Sequence, residues 1–269
     1  MSLCLRVFIH IDEENAFLND VYTEYIVRFI DNFCKETKCP VYVQPPNRAG
    51  QFVQSYEEYR KLIKVFLTPR LSMTHAMPPF VVGSTHLLSY HNLLSLKEIG
   101  VDSKSLGLIV FDEHDDLGNN QDDEPSLASW LGHAIKDELV FPENVFVIGL
   151  NSQAMKLLQQ NQPKIRACTY EEVNKGYKPA FDFKDKLIWI SVDADSIRNF
   201  HGGNEAMFLY RFASIFVDAI EAGSIVGVDF VEWRGENWIK DPPIGMEAFL
   251  TILYLLISKH SAEIEENAL

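Results

Sequence analysis

Short, predominantly apolar runs alternate along the chain with longer stretches in which apolar residues recur every three or four positions. The short runs are Leu5 to His10, Val41 to Val43, Pro79 to Val82, Leu108 to Phe111, Val145 to Leu150, Ile165 to Tyr170, Leu187 to Val192 and Ile225 to Val231. Their length and their Val, Ile and Phe content predict strands buried on both faces. Helical spacing links Tyr22, Tyr25, Ile26, Phe29 and Phe33, then Tyr56 to Phe66, closing before Pro69. It returns at Leu87, Tyr90, Leu93 and Leu94, at Leu127 to Leu139, at Met155 to Gln159 and at Phe208, Phe212, Phe216 and Ile220. Phe249 to Ile257 reads as a core helix. Strand and helix in alternation predict a three-layer α/β/α fold with a mainly parallel central sheet. A length of 269 residues suits one domain over 1–269.

Two of the apolar runs end abruptly in ionisable residues. After Phe111 come Asp112, Glu113, His114, Asp115 and Asp116, and after Val192 come Asp193 and Asp195. A third, Pro79 to Val82, leads through Gly83, Ser84 and Thr85 to His86. In an extended chain alternate side chains share a face, so Asp112, His114 and Asp116 are expected on one side, away from Glu113 and Asp115. Parallel sheets bind ligands beyond the carboxyl ends of their strands, which places four aspartates and two histidines in one cleft. Like charges that close raise one another's pKa values, and one or two divalent cations would relieve them. Six carboxylate and imidazole donors form a hard set that suits Mn2+ better than thiolate-rich zinc sites do.

Composition narrows the function further. The formal net charge of −14, without a basic cluster, argues against a nucleic-acid partner, because a duplex binder needs a basic stripe. The four cysteines, Cys4, Cys34, Cys39 and Cys168, have neither CxxC spacing nor disulfide-framework density, so reduced thiols and a cytoplasmic location are expected. The first thirteen residues lack a secretory pattern. No apolar stretch approaches the roughly 20 residues of a membrane span. Gly118 to Pro125 is polar and turn-forming, a surface loop expected to overhang the cleft. Residues 196–204 form a second loop, with Gly202 and Gly203 allowing a tight backbone path.

His86, Asp112-x-His114-x-Asp116 and Asp193-x-Asp195, in that order and with the two aspartate motifs about eighty residues apart, resemble the binuclear manganese site of the ureohydrolases. That family includes arginase, agmatinase, guanidinobutyrase and formiminoglutamase. The resemblance covers about Val81 to Glu232. It implies the arginase-like fold, two Mn2+ ions per chain and a small guanidino or formimino substrate. His86 and Asp116 would hold one ion and His114 and Asp195 the other, with Asp112 and Asp193 bridging. Asp116 also matches the family's orienting aspartate, His133 a candidate proton shuttle and Glu232 the glutamate that grips a guanidinium. The family's trimers and hexamers make a homo-oligomer compatible with this reading.

The match departs from the family outside the ligand set. Ser84-Thr85 precede His86 where an aspartate is usual, Gly118 replaces an arginase asparagine, and Gly132 precedes His133 where the family's glycine commonly follows it. Arg198-Asn199 replace Asp-Pro, and the following loop is shortened to His201-Gly202-Gly203-Asn204. Arg198 could meet an acidic group on a substrate or an ordinary ion-pair partner. Two other readings stay open: a catalytically inactive or regulatory protein of this fold, and a one-zinc deacetylase of the related histone-deacetylase type. The latter carries tandem active-site histidines, and no His-His pair occurs here.

Overall fold

The computed structural model describes residues 5–10, 41–44, 56–72, 77–83, 85–118, 123–198, 206–232, 248–249 and 251–260. The helix expected through Tyr22 to Phe33, the turn at 45–50, the tip of the 118–125 loop and most of the 196–204 loop lie outside them. Among the described residues, eight strands form one sheet: β1 (Leu5–His10), β2 (Val41–Gln44), β3 (Phe80–Gly83), β4 (Leu106–Phe111), β5 (Val145–Leu150), β6 (Arg166–Thr169), β7 (Leu187–Asp193) and β8 (Ser224–Val231). Their spatial order is β2-β1-β3-β8-β7-β4-β5-β6. Every pairing is parallel.

Side chains alternate across the sheet and divide the core. From β4, Ile109 and Phe111 enter one apolar layer, while Leu106, Leu108 and Val110 enter the other. Helices α1 (Tyr56–Ser72), α2 (Leu87–Glu98), α3 (Trp130–Lys136) and α4 (Ser152–Asn161) cover the second layer. Helices α5 (Tyr170–Asn174) and α6 (Leu209–Ile220), with the helix over 251–260, cover the first. The architecture is thus three-layered, and the sheet is parallel throughout its described pairs.

Three local expectations shift. Helix α1 runs through Pro69 to Ser72 instead of closing before it. Proline removes one helical hydrogen bond, but Arg70 Nε donates to the Ile225 carbonyl at 2.8 Å and holds the last turn against β8. Helix α3 is shorter than the Leu127–Leu139 pattern, since residues 127–129 form turns. Helix α4 is longer, because Asn151 caps it by accepting from the amides of Gln153 and Ala154.

The strand order sets up the site. From β3 the chain crosses over to β4, builds outward through β5 and β6, then returns to insert β7 and β8 between β4 and β3. Four neighbouring strands, β3, β8, β7 and β4, therefore end side by side at the reversal of strand order, where α/β sheets form ligand crevices.

Candidate metal centre

Turns, not strand extensions, bring the ligand-type residues together. Strand β4 stops at Phe111. Asp112 Oδ1 then accepts from the His114 amide at 2.7 Å, and Asp116 takes a left-handed φ of 46°. The expectation that residues 112 to 116 continue as an extended chain is corrected here, although Asp112, His114 and Asp116 still converge. At the end of β7, Asp193 Oδ1 accepts from the Asp195 amide at 2.9 Å in the same way. In both motifs the first aspartate folds the chain back so that the residue two positions on returns to the same spot. His86 lies in the turn that opens α2.

A close backbone contact locks the first turn. The Asp116 carbonyl accepts from the amides of Leu131 (3.1 Å) and Gly132 (3.2 Å) at the start of α3. A Cβ at Gly132 would lie 2.2 Å from the Leu117 carbonyl oxygen, so only glycine allows this approach. That accounts for a glycine just before His133. Trp130 Nε1 donates to Asp116 Oδ2 at 2.7 Å, and its ring lies 4.6 Å from that of His86.

The six residues gather as two overlapping sets. His86 Nδ1 lies 2.9 Å from Asp116 Oδ2, 3.1 Å from Asp193 Oδ2 and 3.2 Å from Asp112 Oδ2. His114 Nδ1 lies 3.2 Å from Asp195 Oδ2 and 3.5 Å from Asp112 Oδ1. His86, Asp112 and Asp193 form one group that could hold an ion, and Asp112, His114 and Asp195 form another, so Asp112 is common to both. Glu232 follows β8 with φ 57°, lines the cleft, and accepts from the His86 amide at 3.3 Å. His133 is buried on α3 and is not among the described residues that line the cleft. Arg198 lies over the Phe208 ring, 4.8 Å from its centroid, and is likewise outside that lining.

These residues fit a pair of divalent ions. Buried His86 Nδ1, Asp112 Oδ2 and Asp195 Oδ1 have no hydrogen-bond partner, although carboxylates crowd around both rings. Donors about 2.1 Å from one octahedral ion sit about 3 Å apart along its edges, which is the spacing around His86 Nδ1. Protonation equilibria report the same crowding. Burial, then the charge of Asp116, pushes the Asp112 carboxyl up to about 7. Burial and the neighbouring Asp195 and Asp112 hold Asp193 well above the usual carboxylate range. Asp112 and Asp195 raise His114 to about 12. Burial opposes the His86 imidazolium, yet three carboxylates outweigh it and raise its pKa well above the ordinary value. Burial likewise opposes the Asp195 carboxylate, but His114 outweighs it and lowers that pKa. The cluster draws in positive charge, as protons or as cations.

A buried polar chain behind His86 escaped sequence reasoning. His86 Nε2 lies 3.0 Å from Ser191 Oγ, and Ser191 Oγ lies 3.0 Å from Ser89 Oγ. Ser89 Oγ donates to Asp229 Oδ1 at 3.1 Å. Asp229 Oδ2 accepts from Asn92 Nδ2 (3.0 Å) and Trp189 Nε1 (2.7 Å), and Tyr59 donates to Asn92. Asp229 is fully buried, and that burial raises its pKa. An acidic residue inside the apolar run Ile225 to Val231 was the signal, because a buried charge needs hydrogen-bond partners.

A cleft of about 600 Å³ opens over the cluster. A parallel sheet in a three-layer α/β fold, with an imidazole and carboxylate cluster at its topological switch point, defines an α/β protein with a candidate metal centre. Comparison with known proteins identifies the family. A sequence profile of the arginase family matches residues 32–237, and the chain belongs to that family. No curated protein sequence matches significantly.

Solved structures agree on the fold. A formimidoylglutamase from Bacillus subtilis shares 12% identity at TM-score 0.69, covering 97% of this chain and 87% of that one. A hypothetical agmatinase from Burkholderia thailandensis shares 13% at TM-score 0.72, covering 98% and 87%. An arginase from Bacillus cereus shares 15% at TM-score 0.67, covering 95% and 98%. At such identities the likeness establishes the fold alone. Among the described residues no helix is long and apolar enough to cross a membrane.

Proposed function

We propose that this protein is a binuclear, manganese-dependent hydrolase of a guanidino or formimino C–N bond. The observation that carries the proposal is the pair of imidazole Nδ1 atoms, each 2.9–3.5 Å from carboxylate oxygens, joined through Asp112. His86 and Asp116 would hold one Mn2+, His114 and Asp195 the other, and Asp112 and Asp193 would bridge them. Bound divalent ions supply the Lewis acidity that makes water a nucleophile near neutral pH.

The remaining roles fall to the chain itself. Asp116 orients the attacking water by accepting its hydrogen bond, and the indole of Trp130 fixes that carboxylate in place. Glu232, at the end of β8, pairs with the planar cationic head of the substrate, for which a carboxylate offers a bidentate match. The backbone amide of His86 steadies one of its oxygens. The leaving amine needs a proton, and His133 has the right chemistry for delivering it. That role rests on residue type, since the ring is buried on α3 outside the cleft lining.

Metal analysis after purification in manganese tests the reading. Two ions per chain support it. One zinc ion favours the deacetylase alternative, and no metal favours a non-catalytic role. A screen for urea release from arginine, agmatine, guanidinobutyrate and guanidinopropionate, with ammonia and formamide assays on formiminoglutamate, then identifies the substrate. Two bound ions without turnover of any of these would refute the proposed activity on them.

A further inference from the structure

The described lining of the cleft combines two chemically different sets of residues. One set is ionisable and mostly acidic: His114, Asp115, Asp116, Asp193, Asp195 and Glu232. The other is an apolar set: Leu127, Ala128, Ala154 and Leu157. Leu127 is 45% exposed and Leu157 41%, although the neighbouring Leu158 is wholly buried. Ala154 and Leu157 lie three residues apart on α4 and so share a face. Both leucines therefore spend apolar surface on the cavity instead of the core. Large apolar side chains left exposed in a concave site mark a ligand surface.

The polar residues that line the cleft beside them, Asn151 and Gln153, carry no charge. Asn151 Oδ1 is committed to the amides that open α4. No lysine or arginine occurs among the described lining residues, so a substrate carboxylate would find neither as an ion-pair partner among them. A cationic head drawn to the acidic residues, with hydrocarbon trailing along the leucines, satisfies both sets at once.

We propose that the substrate of this site is a guanidine or amidine bearing an uncharged aliphatic tail, which packs against Leu127, Ala128, Ala154 and Leu157. This deepens the hydrolase reading and rests on it for the identity of the cationic head. Each buried methylene contributes enough to tighten binding about fourfold.

The test is a series of n-alkylguanidines, from methyl to octyl, titrated calorimetrically into the manganese-loaded protein, with urea release followed in parallel. Affinity is expected to rise about threefold to fourfold per methylene, until the tail outgrows the apolar set, and butylguanidine should bind more tightly than 4-guanidinobutanoate. Leu157→Ser and Leu127→Ser should flatten the gradient while the protein keeps its wild-type manganese content and melting temperature. Graded binding without urea release would sustain the tail and refute the hydrolase. Urea release with affinity indifferent to chain length would sustain the hydrolase and overturn the tail, as would tighter binding of the carboxylate-ended analogue.

Discussion

Replacing Asp229 by asparagine separates the fold from the metal centre, because asparagine has nearly the same shape and differs in which atoms donate. In the native chain Asp229 receives hydrogen bonds from Ser89, Asn92 and Trp189. Asn92 Nδ2 and Trp189 Nε1 are obligate donors to one oxygen, so the asparagine carbonyl must take that position. Its amide then faces Ser89 Oγ and donates to it. Two charge-assisted bonds become neutral ones, at a net cost of about 1–2 kcal/mol once relief of the buried charge is included. For a chain of this size, that cost lowers the melting temperature by roughly 2–8 °C.

The consequence for His86 is larger. Ser89 donates to Asp229; its contact with Ser191, and that of Ser191 with His86, then allow Ser191 to donate to Ser89 and His86 Nε2–H to donate to Ser191, so that Nδ1 is the nitrogen left to bind an ion once it gives up its proton. With asparagine donating, both hydroxyls reverse and Nε2 becomes the acceptor. The proton moves to Nδ1, where an ion would have to bind. Loss of such a supporting hydrogen bond weakens metal affinity about 10-fold to 100-fold. Titration of Mn2+ into metal-free Asp229→Asn protein should show one weakened ion and little change at the His114 position, with scanning calorimetry recording the small loss of stability. Ser89→Ala, which breaks the same chain, should weaken the same ion. Two ions bound with wild-type affinity in both variants would refute the reasoning.

Other outcomes follow from the same geometry. In the metal-free protein, native Asp112 retains a proton up to about pH 7, whereas an unfolded aspartate releases it near 3.9. This contribution therefore falls as pH rises between those values. Raised His86 and His114 contribute stability that is fully present below about pH 6.5 and is lost as pH climbs through their higher folded values. The metal-free protein should thus melt at a lower temperature at pH 8 than at pH 5.5; a flat or rising profile by calorimetry would contradict the assignments. Saturating Mn2+ should reverse the trend, since ligands must deprotonate to bind, and at 100 times the dissociation constant one ion adds about 2.7 kcal/mol. Gly132→Ala should cost about 1–3 kcal/mol by denaturant titration, because its Cβ meets the Leu117 carbonyl; unchanged stability would mean that the turn has slack. Asp116→Asn should reduce turnover of an identified substrate at least 100-fold, and unaltered turnover would remove Asp116 from the mechanism.

Much of the centre was legible in the chain because ligand chemistry is written in residue types. Asp112-x-His114-x-Asp116, Asp193-x-Asp195 and His86 stood out as acids and imidazoles at the ends of apolar runs, and the structure gathers all six. What misled was the local conformation. A period of two suggested an extended chain, but a side-chain oxygen competes for backbone amides as effectively as a neighbouring strand does, and Asp112 and Asp193 fold the chain into turns. Pro69 misled for a related reason: its effect on a helix is local, while the bond from Arg70 to Ile225 comes from far along the chain.

Periodicity and residue type by themselves determined the layer architecture, the parallel sheet and the inventory of candidate ligands. These depend on which face of a segment is apolar and which atoms it carries, and both are properties of short stretches. Only the tertiary structure decided that β7 and β8 return between β3 and β4, that Asp112 is shared by both imidazole groups, and that Ser89, Ser191 and Asp229 line up behind His86. It also decided that Leu127 and Leu157 face the cleft. Those relations join residues up to about 150 positions apart, and they exist only once the sheet order brings the strand ends within hydrogen-bonding distance.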